Sequence, residues 1–391
     1  MRVEGDFIKI NKWFLPLSWL YGLGVKFRNM LFEIGILRSE SFDVPVISVG
    51  NITVGGTGKT PHVEYLIELL KDKAKVAVLS RGYKRRTRGF VIADDKATAR
   101  TVGDEPLQMK SKYGDDITVA VDRKRCHGIR QLICQEDDID VVLLDDAFQH
   151  RYVKPGVNIL LVDYHRLIIY DKLLPVGRLR EPLSGKNRAD IVIVTKCPHD
   201  LKPMEYRVIT KAMNLYPFQR LFFTCLEYRN ITPVFSGKER TLESIGKDWY
   251  ILLLTGIASP RQMIEDLSPR YPNITPLTFG DHHAFTSSDV ARINNEFASL
   301  PNPKMIITTE KDVTRLIAVE GLSEEVRDAM YALPVKIRFM LGQEESFNEK
   351  IIGYVRKNSR NSILAKAKDD HKSRNGNNFR DRPRTISFRN N

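Results

Sequence analysis

Val46-Ile47-Ser48-Val49-Gly50-Asn51-Ile52-Thr53-Val54-Gly55-Gly56-Thr57-Gly58-Lys59-Thr60-Pro61 is the stretch that decides the fold. Residues 46–49 read as a short buried strand, and residues 60–70 read as a helix. Between them lie Gly55, Gly56 and Gly58. Strand, glycine loop and helix, in that order, are the context a phosphate-binding loop requires. The glycines let backbone N–H groups turn inward around an anion. Lys59 adds a point charge for the β- and γ-phosphates, and the Thr60 hydroxyl is a ligand for Mg²⁺. The positive end of the helix dipole begins there, and Pro61 is tolerated in a first turn. The general pattern G-x-x-x-x-G-K-T wants glycine at position 53, where this chain has Thr53. A chance glycine turn beside a surface lysine is the competing account, and the flanking strand and helix count against it.

Working outward, residues 63, 66, 67 and 70 put Val, Leu, Ile and Leu on one helix face. Apolar runs of strand length recur at 75–79, 117–121, 141–144, 157–162 and 191–194. Continuous runs of this kind, alternating with helices, mark a parallel sheet buried on both faces. From about Trp249 the pattern restarts, with strands at 250–254 and 305–308. The expected architecture is therefore α/β: a P-loop NTPase-type, mostly parallel sheet with helices on both faces, plus a second, smaller α/β domain and an N-terminal amphipathic helix. The expected segments are 1–40 (membrane-interface helix), 41–245 (P-loop kinase domain), 246–356 (smaller domain closing on the site) and 357–391 (basic disordered tail).

The chain has 391 residues, enough for two domains, and its 42% hydrophobic content is that of a soluble globular protein. About eight of the +13 formal charges lie from Arg356 onward. The folded part is thus only mildly basic, and no nucleic-acid partner is inferred. Four cysteines without C-x-x-C or zinc spacing suit a reducing compartment. No secretory signal is expected at the N-terminus, nor a spanning helix: residues 13–32 are broken by Pro16, Gly22, Gly24, Lys26 and Arg28. That stretch does carry Trp13 and Trp19, with Leu20, Leu23, Phe27, Leu31 and Ile34 at helical spacing and Lys9, Lys12, Lys26, Arg28 and Arg38 around them. Interfacial helices have this composition. Packing of the same face onto the chain's own core is equally compatible with the periodicity.

Several polar groups fall at strand ends, where ligands of such sheets sit. Val141-Val142-Leu143-Leu144-Asp145-Asp146 has the form of a strand whose terminal acid holds Mg²⁺. Gly103-Asp104-Glu105-Pro106 offers two carboxylates, and Gly177-Arg178-Leu179-Arg180-Glu181-Pro182 two guanidinium groups and a carboxylate. Phosphoryl transfer needs a metal, cations on the equatorial oxygens and a group that deprotonates the nucleophile. Helix capping is the alternative role for each acidic segment. Asp281-His282-His283 lacks zinc-ligand spacing. Thr195-Lys196 faintly matches a guanine-reading turn, but Pro198 stands where its aspartate should be.

Taken in order, residues 50–61, Ser80-Arg81-Gly82-Tyr83, Gly103-Asp104-Glu105-Pro106, Asp145-Asp146-Ala147-Phe148-Gln149-His150-Arg151, Leu179-Arg180-Glu181-Pro182-Leu183 and Thr309-Glu310-Lys311-Asp312 resemble the tetraacyldisaccharide 4′-kinase (lipid A 4′-kinase) family. The resemblance covers nearly the whole chain to about residue 355, and that family shares the departure at Thr53. It implies transfer of the γ-phosphoryl group of ATP, with Mg²⁺, to the 4′-hydroxyl of an acylated glucosamine disaccharide 1-phosphate, on the cytoplasmic face of the inner membrane. It implies a lipid substrate and a membrane surface as partners, and no obligate protein partner is inferred. Residue by residue, it implies nucleotide contacts at Thr53, Val54, Gly55, Gly56, Thr57, Gly58, Lys59, Thr60 and Pro61. It implies metal-site positions at Thr60, Asp146 and Glu181, a base at Asp104 with His282 as its partner, and site-lining positions at Arg81, Glu105, Arg125, Gln149 and His150. Asp104 and His282 lie in different expected domains, so their meeting is expected to require domain closure. The competing class is a membrane-recruited ATPase switch of the partition or division-site type. Those proteins carry a lysine just before the two glycines, where this chain has Val54.

Overall fold

Every residue of the strand Val46–Gly50 is buried, as a strand with helices on both faces must be. The structure, a computed structural model, describes residues 12–136 and 138–359. The expected tail from 360 onward and residues 1–11, with Lys9, lie outside the described residues. Fourteen strands are described: β1 (Val46–Gly50), β2 (Val76–Ser80), β3 (Val91–Ile92), β4 (Ile117–Val121), β5 (Val141–Asp145), β6 (Val157–Asp163), β7 (Ile191–Thr195), β8 (Arg220–Tyr228), β9 (Thr232–Pro233), β10 (Tyr250–Thr255), β11 (Ile274–Thr278), β12 (Lys304–Thr309), β13 (Met330–Leu333) and β14 (Val335–Phe339). They form a nine-stranded sheet, β14-β8-β7-β6-β1-β5-β2-β4-β3, and a five-stranded one, β11-β10-β12-β13-β9.

The seven inner strands of the large sheet, from β8 to β4, run parallel. Its outer strands β14 and β3 pair antiparallel. β1 lies at the centre between β5 and β6. Their carboxyl ends therefore open into one crevice, which is where an open α/β sheet holds its ligand. Each strand expected from an apolar run is present to within a residue or two.

The helices are α1 (Leu15–Glu33), α2 (Lys59–Leu70), α3 (Asp104–Tyr113), α4 (Arg125–Gln135), α5 (Pro203–Met213), α6 (Arg261–Leu267), α7 (Ser287–Ala298), α8 (Glu310–Leu316), α9 (Glu324–Asp328) and α10 (Glu344–Asn358). α2 buries Val63, Leu66, Ile67 and Leu70 against β1 and its neighbours.

The two sheets do not divide the chain at 245/246. β9, at 232–233, belongs to the small sheet, and β14 with α10 returns to the large one. The physical cause is the edge of β8. β14 supplies its missing hydrogen-bond partners, and α10 buries Phe347, Ile351 and Val355 in the same core as Val63 and Tyr65. Tyr65 donates to Glu344 at 2.9 Å, and Val46 N donates to Tyr354 Oη at 3.2 Å. The small sheet thus ends at Leu333, short of the expected boundary near 356.

α1 docks through a narrow polar and small-residue face. Ser18 donates to the Leu173 carbonyl at 2.9 Å, Tyr21 to that of Arg180 at 2.8 Å, and Arg151 to that of Asn29 at 3.1 Å. A Cβ on Gly22 would stand 2.8 Å from Leu173 Cδ1, so only glycine allows this approach. Phe32 is buried edge-on against Tyr152. Leu17, Trp19, Leu20, Leu23 and Phe27 remain exposed. The apolar stripe is therefore not packed on the chain's own core. Among the described residues no helix is long and apolar enough to cross a membrane.

Candidate active site

Gly55 at φ +115° and Gly58 at φ +77° bend the loop after β1 into a cradle that ends at the first turn of α2. The cradle is braced on three sides. Asn51 donates to Thr57 Oγ1 at 2.8 Å. Val54 N donates to the Arg178 carbonyl at 2.8 Å, and Arg180 Nε to that of Thr53 at 2.9 Å. From β7, Thr195 donates to the Thr57 carbonyl at 3.0 Å, and Lys196 caps that of Gly56 while pairing with Asp163 at 2.9 Å. Underneath, His62 bridges the Gly58 carbonyl (2.7 Å) and Thr224 Oγ1 (3.0 Å), and burial drives its pKa down to about 4.

The loop floors a cleft of about 540 Å³, whose roof comes from the small sheet. An added Cβ on Gly56 would meet Ala258 Cβ at 3.4 Å, which shows how closely the roof approaches. At the end of β5, Asp145 and Asp146 behave oppositely. Asp145 is buried, and burial with the neighbouring Asp146 and Glu105 charges raises its pKa to about 6. Enclosure works against the Asp146 carboxylate, but Lys59 at 3.5 Å and Arg180 at 3.7 Å outweigh it and hold its pKa low. Ser80 donates to Asp145 Oδ2, while buried Oδ1 has no hydrogen-bond partner among the described residues.

A second polar cluster lies in and beside the cleft. Asp104 opens α3, and His282 follows β11. His282 Nδ1 lies 2.8 Å from Asp104 Oδ2. Burial raises the Asp104 pKa, but the His282 hydrogen bond and the Arg315 and Lys311 charges outweigh it, leaving the carboxyl below its ordinary range. The Tyr83 ring packs on His282 at 4.8 Å between centroids. The contact expected to need domain closure is thus already made.

The sequence model of the family described as "Tetraacyldisaccharide-1-P 4'-kinase" (LpxK) matches residues 10–356. The chain is 58% identical to the tetraacyldisaccharide 4′-kinase of Phocaeicola vulgatus, over 92% of this chain and 99% of that one. It is 54% identical to that of Bacteroides fragilis, over 95% and 100%. A crystal structure titled as the "apo" form of LpxK from Aquifex aeolicus in complex with ATP superposes with a TM-score of 0.67, at 29% identity, covering 88% of this chain and 98% of that one. The chain belongs to the tetraacyldisaccharide-1-P 4′-kinase family.

Membership makes it a kinase and sets aside the partition-type ATPase switch. Of the positions that the resemblance to this family singled out, Val54 to Pro61, Arg81, Glu105, Asp146 and His282 line the cleft. Thr53 stands just behind it, buried and bridged to Leu179. Asp104 backs His282. Glu181 does not line the cleft: it is buried, with Oε2 paired to Arg188 at 2.7 Å and Oε1 without a hydrogen-bond partner among the described residues. Arg125 is buried behind the Asp145 carbonyl, to which it donates at 3.0 Å. His150 accepts from Arg125 N at 3.2 Å, and it borders a separate cavity of about 340 Å³. Burial and the Arg125, Arg28 and Arg81 charges push the His150 pKa down to about 4. The Gln149 carbonyl accepts from Arg28 of α1 at 3.4 Å.

Three further cleft groups, Lys196, Tyr83 and Lys311, had no assigned role in the sequence. Each follows a strand end, and position after a β-strand was the signal available for them.

Proposed function

We propose that this cleft transfers the γ-phosphoryl group of ATP to the 4′-hydroxyl of a tetraacyldisaccharide 1-phosphate, in lipid A biosynthesis. The main support is a coincidence of geometry. A phosphate cradle with Lys59 and a buried carboxylate–imidazole pair, Asp104–His282, belong to the same cleft. The first holds a polyphosphate, and the second suits proton removal from an alcohol.

In this reading the loop amides of residues 54–60 and Lys59 bind and orient the phosphates. Lys59 and Arg180 put positive charge beside the group in flight, in a site partly closed from water. Asp104, ionised because His282 and Arg315 face it, accepts the hydroxyl proton. Its partner His282 holds the carboxylate in orientation.

Magnesium fits the donor set. Thr60 and Asp146 are hard oxygen donors at one end of the cleft, and the adjacent acids Asp145 and Asp146 call for a cation. Among the described residues no three acids, histidines or cysteines gather as a ligand cage, which suits an ion that relies on water and substrate phosphates. Bound there, magnesium would neutralise charge on the β- and γ-phosphate oxygens. Glu181 could join only by giving up Arg188.

The acceptor is a lipid, so the exposed face of α1 is assigned to the membrane surface, on the cytoplasmic side of the inner membrane where ATP is available. The two sheets are assigned to two bodies, with the small one roofing the nucleotide. γ-labelled ATP and the tetraacyl acceptor in mixed micelles test the proposal. Label should move to the lipid and should not move to a 4′-deoxy analogue. ATP hydrolysis that ignores the lipid would refute it.

A further inference from the structure

Lys311 stands on the first turn of α8, and its backbone is firmly fixed. Asp312 N donates to Thr309 Oγ1 at 3.1 Å, closing the cap. The fully buried Asp312 carboxylate accepts from Gly256 N at 2.9 Å and from Thr309 Oγ1 at 2.7 Å, and pairs with Arg315. A Cβ on Gly256 would stand 2.8 Å from Asp312 Oδ1, so this approach requires glycine. From that anchor the Lys311 ammonium reaches three groups. Glu105 Oε1 lies at 3.0 Å, Asp281 Oδ1 at 3.2 Å and His282 Nε2 at 3.2 Å. Burial disfavours its charge, but the two carboxylates outweigh burial and keep it protonated.

An ammonium group has three donors and no lone pair. A ring nitrogen at hydrogen-bond distance from it must present its own lone pair. His282 Nε2 is therefore bare, and the single ring proton of the neutral imidazole sits on Nδ1, which faces Asp104 Oδ2 at 2.8 Å. Asp104 Oδ2 also lies 3.5 Å from Arg315 Nε, whereas Oδ1 makes no hydrogen bond among the described residues.

We propose that Lys311 is a positioning residue that fixes His282 as the Nδ1–H tautomer, so that Asp104, and not His282, takes the proton of the acceptor hydroxyl. This deepens the kinase reading and rests on it. As the new O–P bond forms, the hydroxyl O–H bond breaks and its proton passes to Asp104 Oδ1. The bond from the γ-phosphorus to its bridging oxygen breaks, and that electron pair leaves with ADP. His282 donates to Oδ2 throughout and carries no net proton, because Nε2 is covered by Lys311.

The tautomer is directly observable. In full-length protein labelled with ¹⁵N-histidine, two-bond ¹H–¹⁵N spectra distinguish a protonated ring nitrogen from a bare one. The His282 signals are identified by their loss in His282→Gln. The wild-type protein should show Nδ1 protonated and Nε2 bare. Lys311→Met should populate the Nε2–H tautomer and lower kcat roughly tenfold or more, with little change in KM for ATP. Lys311→Arg keeps a donor and should restore both the tautomer and most of kcat. A wild-type His282 protonated on Nε2 overturns the proposal. So does a Lys311→Met protein with unchanged tautomer, or one in which only KM for ATP changes. The wild-type spectrum needs neither turnover nor a folded variant, so it separates this proposal from the kinase reading itself.

Discussion

Replacing Trp19, Leu23 and Phe27 together with serine should release the protein from membranes without disturbing its fold. These side chains are 81%, 66% and 57% exposed. They lie away from the face that docks α1 through Ser18, Tyr21, Gly22 and Phe32. Their combined exposure equals about two whole side chains, and burying one fully in an apolar medium is worth roughly 1.5–3 kcal/mol. An interfacial helix sinks only partway, so about half of that sum, some 2–3 kcal/mol, is the expected loss. At about 1.4 kcal/mol per decade, binding should weaken roughly 30- to 150-fold. Co-sedimentation with anionic vesicles measures the partition, and circular dichroism checks the fold. KM for the lipid acceptor should rise while KM for ATP stays constant. A well-folded triple variant that partitions like wild type would refute the membrane role of this face.

Lys59→Ala removes the loop cation and should cut kcat/KM on the order of 10²-fold or more in a steady-state kinase assay; near-normal turnover in a folded variant would contradict the cradle. Stability should also fall in mild acid. His62 stays neutral in the fold down to pH about 4, whereas in the unfolded chain it protonates near pH 6.5. Its folded pKa is lowered, so its full contribution is present above pH 6.5 and is lost as pH falls toward 4. The loss amounts to about 3 kcal/mol. Denaturant midpoints measured between pH 7 and 4 should show this slope, and His62→Gln should flatten it.

The glycine loop and the inner strands were legible because their signals are local. Gly55-Gly56-Thr57-Gly58-Lys59 follows an unbroken apolar run, and β5, β6 and β7 are continuous hydrophobic stretches. β14 was not legible. Val335-Lys336-Ile337-Arg338-Phe339 is short and alternating, and only the open edge of β8 gives it a place. Because α10 follows it, the late part of the chain looked like a continuation of the small domain. Asp104 and His282 are 178 residues apart, so their pairing was expected from family resemblance and not from spacing. Lys196 was set aside because the turn after β7 lacks an aspartate, yet its amine reaches the Gly56 carbonyl. Periodicity likewise left the apolar face of α1 undecided. The docked residues decide it, since small and polar groups turn inward and the large apolar ones remain outside.

The most direct measurement is a comparison of Asp104→Asn, His282→Ala and the double variant, with kcat for lipid phosphorylation and ATP affinity measured separately. Asparagine keeps the shape of Asp104 but cannot take up the proton, so kcat should fall on the order of 10²- to 10⁴-fold while ATP still binds. His282→Ala should also lower kcat, and the double variant should be little worse than the worse single, because the two residues act as one unit. Losses that multiply independently, or an Asp104→Asn enzyme that turns over near the wild-type rate, would contradict phosphoryl transfer assisted by Asp104 in this cleft.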